Sequence, residues 1–229
     1  ASWSRGLGDV YKRQIEEGAK IILKNKGLIF VNGDIQTLGT KLKPVIFEAS
    51  EGGKGLLIIN ARKKSNLINT KFINLSSPNI DKVNITGAIT FYNSPVNINH
   101  SFFSSNFSED SLNIIRSNFK ISNSSFLNSF SDALDLDSSN GEIYNISFKN
   151  IGNDAIDISN GEVLINQLKI NNSPDKAISI GEKSLVDGSE IFIDRSGIGI
   201  ASKDLSTISL RNIIIKNTDV CFTSFQKKN

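Results

Sequence analysis

The strongest constraint on this chain is a repeat of 22 residues. Small residues that precede an alternating apolar pair recur at Ala88, Ser111, Ala133, Ala155, Ala177, Gly199 and Cys221, spaced by 23 residues once and by 22 thereafter. The next position reads Ile89, Leu112, Leu134, Ile156, Ile178, Ile200 and Phe222, and two further on stand Phe91, Ile114, Leu136, Ile158 and Ile180. Thr90, Asn113, Asp135, Asp157 and Ser179 lie between the members of each pair. That is period-two strand alternation, once per repeat. A second column, fifteen residues after each small residue, holds Phe103, Phe126, Phe148, Ile170, Phe192 and Ile214, with Phe72 one repeat earlier. The extra residue of the first spacing falls after Phe103, around Ser104, Ser105 and Asn106, so both columns share one insertion.

A unit this short has no room for a strand–helix–strand crossover, which needs about 30 residues. The economical alternative is a coil that stacks each turn on the last at strand spacing, about 4.8 Å. An all-β parallel β-helix, a solenoid of roughly nine rungs, is the expected fold. Residues 15–229 then make one domain, open at its C-terminal end, with Ile89 to Phe222 as one buried column. The 27 Asn residues suit the corners, because Asn tolerates left-handed backbone and can hydrogen-bond to its neighbours along the stack. Pro44, Pro78, Pro95 and Pro174 are expected in turns, as is the EGGKG segment at 51–55.

The segment IEEGAKIILKNKGLIFVNGDIQTLGTKLKPVIFEA (15–49) resembles the first rungs of right-handed parallel β-helix proteins of the pectate-lyase-like superfamily. There Gly33 and Gly39 mark turns and Pro44–Phe47 leads the next strand; the resemblance runs to about Phe225. It implies a right-handed parallel β-helix and an extracellular or cell-envelope location. Many unrelated activities share this scaffold, so it leaves function open.

The opening ASWSRGLGDVYKRQ (1–14) has no strand alternation and no apolar signal region. It resembles a translated sequencing-adapter run; the alternative is a native disordered segment. The chain has no Met, position 1 included, and stops just after an apolar strand pattern. Part of a longer chain is therefore the expectation. Setting aside 1–14 removes Arg5, Lys12, Arg13 and Asp9 and lowers the net charge from +3 to +1. That balance argues against a nucleic-acid partner. No apolar run approaches the roughly 18 residues of a helical membrane span. One His and one Cys exclude a disulfide framework and a Cys-based zinc site. Cys221 reads as a small packing residue and His100 as surface decoration.

Acidic residues gather in SDALDLD (131–137), NDAIDIS (153–159) and SPDKAISIGE (173–182). Alternation points Asp135 and Asp157 outward from the same strand position on adjacent rungs. At an effective dielectric near 20, charges about 5 Å apart repel by ~3 kcal/mol. That arrangement serves as a carboxylate pair for general acid/base work, as a Ca²⁺-type oxygen site at Asp135 and Asp157, or as a solvated charged face. Asp110, Asp132 and Asp154 form a second column, with Lys176 next in line; at a corner, alternation does not say whether they face in or out. These rungs resemble, loosely, the active-site rungs of polygalacturonase-type glycoside hydrolases, where Asp132 and Asp154 would match cleft carboxylates. Asn153 departs from that pattern in place of an Asp, Lys176 in place of a His, and GIASK (199–203) lacks its Arg-Ile-Lys. Lyase chemistry would draw its base from Lys176, Lys203 or Arg116.

The candidate catalytic set is thus Asp132, Asp135, Asp154, Asp157 and Lys176. Two functions follow. One is a carbohydrate-associated module that binds or processes a polysaccharide on its outer face, as a lyase, epimerase or glycoside hydrolase if it is an enzyme. The other is a non-catalytic structural or adhesive module of a larger surface or secreted protein. Few aromatic residues are expected outside the core for stacking on sugars.

Overall fold

The computed structural model describes residues 14–78 and 84–227. Within them there are twenty strands and no helix, so no helix is long and apolar enough to cross a membrane. The ladders between named strands are all parallel. The reading of 1–14 as a foreign or disordered segment falls outside the described residues except at Gln14. That residue opens the strand Gln14–Glu16 and pairs with Gln36.

The chain winds into a parallel β-solenoid of nine coils. One column shows the stacking: Ile29, Leu56, Ile89, Leu112, Leu134, Ile156, Ile178, Ile200 and Phe222 stand opposite one another in turn. A middle coil has three strands: Asp110–Ile115 on the first face, Asn118–Ser122 on the second and Ser125–Ser129 on the third. The later coils run round their corners as the long strands Glu162–Gly181, Leu185–Lys203 and Thr207–Phe225. From Ile89 to Ile200 the column is at most 1% exposed. Asp110 aligns with Asp132 at 22 residues, whereas Ser104 aligns with Leu127 at 23, which places the extra residue between them as expected.

The corners are turned by left-handed residues, one or two at a time, and Asn supplies half of the 26 non-glycine examples among the described residues. Their side chains join successive coils: Asn150 Nδ2 donates to Asn128 Oδ1 at 3.1 Å, and Asn172 Nδ2 to Asn150 Oδ1 at 3.3 Å. Serine does the corresponding work inside the first corner. The backbone N–H of Ser94 donates to Ser117 Oγ at 2.8 Å, and that of Ser117 to Ser139 Oγ at 3.1 Å. These bonds pair buried amides that the ladder cannot reach as the chain bends.

Five stacked rings, Phe47, Phe72, Phe103, Phe126 and Phe148, fill the core under the third face, with centroids 4.5–5.3 Å apart. Beyond Phe148 the column continues through Ile170 to Ile193 and not, as the spacing predicts, to Phe192. The turn at Glu182 and Lys183, both left-handed, holds one extra residue, and the bulge between Ser173 and Lys176 removes it again. The two changes cancel over a coil, so the small-residue column keeps its period while Phe192 and Ile214 shift outward. Ile214 is 52% exposed. Pro174 sits at that bulge inside a strand and not in a turn, at a place where no ladder N–H is required. Phe222 is 58% exposed and Cys221 is exposed as well, because among the described residues no coil stacks beyond theirs.

Candidate functional site

Two rows of polar side chains cross the first face at right angles to its strands. The leading row is Asp110, Asp132 and Asp154, with Lys176 after them. Asp110 and Asp154 are buried and Asp132 is half-buried. The corner turns these side chains along the stack. Asp132 Oδ1 accepts from the backbone N–H of Asp154 at 2.9 Å and from Asn153 Nδ2 at 2.7 Å. Asp154 Oδ1 repeats the pattern, accepting from the backbone N–H of Lys176 at 2.9 Å. These two carboxylates therefore tie their coils to the next.

The central row is Thr90, Asn113, Asp135, Asp157 and Ser179, in direct register. Thr90, Asn113 and Ser179 are buried, and Asp135 and Asp157 are half-buried. Asn113 Nδ2 donates to Asp110 Oδ2 at 3.1 Å and Asp135 Oδ2 at 3.2 Å, which joins the rows. At the far end the Lys203 ammonium, 9% exposed, donates to Ser179 Oγ at 2.6 Å and lies 3.8 Å from Asp157 Oδ1. Asp157 Oδ1 and Asn113 Oδ1 are buried without a hydrogen bond.

Stacked burial changes how these groups hold protons. Loss of water pushes Asp135 up to about 9, reinforced by the charges of Asp110, Asp137, Asp157 and Asp132. Burial raises Asp110 to about 7 against a hydrogen bond from Thr86. Asp154 rises to about 7 by burial, opposed by the Lys176 charge. Asp132 also rises through burial, restrained by the N–H of Asp154 and the Asn153 amide. Burial works against the Lys176 ammonium, yet Asp175 and Asp154 outweigh it and hold its proton more tightly than usual.

The structure brings Asp132, Asp154 and Asp157 together, with one carboxyl oxygen from each within 4.8 Å of the others. Asp135 stays one strand position away, in register with Asp157 and bonded toward Asn113. Lys176 reaches the leading row at 3.5 Å from Asp154 Oδ1 and also pairs with Asp175. The oxygen spacing suits a hard cation, but the ammonium groups of Lys176 and Lys203 already supply positive charge to Asp154 and Asp157.

Three features escape the repeat analysis. Lys203 reaches back from the coil after Ser179 over both Ser179 and Asp157, a relation that strand alternation does not register. Phe107 and Phe130, 64% and 57% exposed, pair at 4.1 Å between centroids just ahead of Asp110 and Asp132, among the few aromatics expected outside the core. An open cleft lies at the first corner, away from the acidic rows, between Arg62 and Arg116.

No family model matches the sequence, and no curated protein does. Among solved structures the chain is similar to the catalytic domain of a GH87 alpha-1,3-glucanase in complex with nigerose, at 10% identity and TM-score 0.47, over 94% of this chain and 63% of that one. It is also similar to a variant of such a domain in complex with tetrasaccharides, at 10% identity and TM-score 0.45, over 95% of this chain and 62% of that one. The chain thus spans under two thirds of the length of these domains.

Proposed function

We propose that this chain is a carbohydrate-associated module, working outside the cell or in its envelope, that binds a polysaccharide across the first face and processes it by proton transfer. The observation that carries this reading is the convergence of Asp132, Asp154 and Asp157 within 4.8 Å. Neighbouring carboxyl groups whose surroundings push their proton affinities apart are the means by which one site supplies both acid and base. Asp154, raised to about 7, is the proton donor. Asp157, paired with Lys203, is the group opposite it, and Asp135, raised to about 9, keeps a proton beside them. Lys176 keeps its proton too, so it acts as a fixed charge and not as a base. That favours hydrolysis of a glycosidic bond over elimination.

The test is a panel of neutral and acidic polysaccharides assayed for new reducing ends and for unsaturated uronides. Expected are new reducing ends on at least one substrate, loss of about 10²–10⁴ in rate for Asp154→Asn and Asp157→Asn, and a fall in rate as pH rises through 7. No turnover of any substrate, or turnover indifferent to both substitutions, refutes the catalytic reading. Because the lysines already balance the charge, neither Ca²⁺ nor chelator is expected to move the melting temperature. A rise with Ca²⁺ that Asp157→Asn abolishes would establish a cation site.

A second reading, a structural or adhesive module, draws on the backbone bonds of Asp132 and Asp154. In that case Asp132→Asn and Asp154→Asn would alter stability and leave glycan binding unchanged.

A further inference from the structure

The first corner carries an open cleft of about 600 Å³ that spans four coils and lies apart from the acidic rows. Its charged lining residues are Arg62 and Arg116; the rest are amides, serines, Ala61 and Pro95, with no carboxylate. The nearest acid along the chain, Asp137, stands in register with Ile115 on the strand side of the corner.

Arg116 is held in place. Its Nη1 donates to Tyr92 Oη at 3.2 Å, and its guanidinium lies 5.9 Å from the centre of that ring. It also occupies the left-handed corner position, with φ of 50°, that Asn60, Asn93 and Asn160 fill in other coils. Arg is a poorer occupant of that conformation than Asn, so the local backbone does not account for its choice.

We infer that this cleft binds an oxyanion carried on a saccharide, either a uronate carboxylate or a sulfate ester. A guanidinium offers paired donors matched to such a group. The amides of Asn60, Asn93 and Asn118 offer both donors and acceptors to the hydroxyls of the same sugar. Two cations confined to a cleft, on a chain of nearly balanced charge, suit one anionic sugar unit better than a long polyanion. The inference extends the carbohydrate reading by naming a charge class, and it rests on different residues.

Titration calorimetry on the full chain should use four probes: a uronic-acid tetrasaccharide, a sulfated disaccharide, a neutral glucan tetrasaccharide and inorganic sulfate. Arg116→Asn is the informative variant, because it restores the residue that other coils place at this corner and so should fold at least as well. The expected result is saturable binding of a uronate or sulfated sugar that weakens with salt, and about tenfold weaker binding in Arg116→Asn and in Arg62→Gln. Which of the two sugars binds identifies the source of the anion. Equal binding of neutral and anionic sugars, unchanged binding in both Arg variants, or binding of inorganic sulfate alone would overturn the inference. Turnover of a neutral glucan without any anion binding would overturn it and leave the acid/base reading intact. Anion binding without turnover would do the reverse.

Discussion

The phenylalanine column and the aspartate rows arise from one operation: the chain returns a side chain to the same place on every coil. For phenylalanine the repetition is favourable. Phe103 lies between Phe72 at 4.9 Å and Phe126 at 4.5 Å, with interplanar angles of 17° and 7°, and each ring adds burial and offset stacking. For aspartate the same repetition sets carboxyl groups against one another, and the molecule answers with bound protons, contacts from the buried Lys203 and the half-buried Lys176, and backbone donors. A solenoid therefore amplifies whatever a column contains. An apolar column needs no further account, whereas a charged one is retained against a cost.

The sharpest break in this comparison is Phe103→Ala, expected to cost about 3–5 kcal/mol in denaturant unfolding because the cavity has rings on both sides. Leu134→Ala, in the middle of the other column, should cost about 2–5 kcal/mol. Phe222→Ala, in that same column but on the last described coil, should cost no more than about 1 kcal/mol. A large loss at Phe222 would mean that the column is covered there in solution.

The aspartate rows predict a pH dependence of definite sign. Asp110 and Asp154 near 7 and Asp135 near 9 keep protons that the unfolded chain releases near its ordinary value of 3.8. The folded state thus binds more protons between about pH 4 and pH 9, and the contribution of these groups to stability falls as pH rises through that window. Each retained proton adds at most about 1.4 kcal/mol per pH unit to the slope. Asp135→Asn should flatten the upper part of the window, from pH 7 to pH 9, measured by urea unfolding at successive pH values. An unchanged slope would show that Asp135 is ionised in the folded state. The smallest effect belongs to Phe107→Ala, expected to stay within about 0.5 kcal/mol because the ring is mostly in water.

Strand alternation and the 22-residue period made the coil, the buried column and the asparagine corners legible. They failed where the backbone leaves the strand. At Phe192 an insertion at Glu182–Lys183 and a bulge near Pro174 cancel, so the period survives while the inward face changes. Alternation also stops at corners, which is why it could not orient Asp110 and Asp154. The Arg62–Arg116 cleft joins coils of unequal length, 33 residues from Asn60 to Asn93 and 23 from Asn93 to Arg116, and a search at one fixed period passes over it. The acidic residues could be located from sequence, but not that Asp132 and Asp154 also hold the backbone of the next coil.

Nearly every ladder in this fold joins one coil to the coil on either side, so the molecule behaves as a one-dimensional chain of nearest neighbours. Order can start in one coil and spread outward without closing a long loop. A perturbation at one coil weakens as it passes along the stack. A proton gained or lost at Asp135 is felt first by the coils of Asn113 and Asp157 and fades beyond them. Amide exchange should therefore grade from the slow middle coils to the faster end coils rather than divide the molecule into one core and one surface.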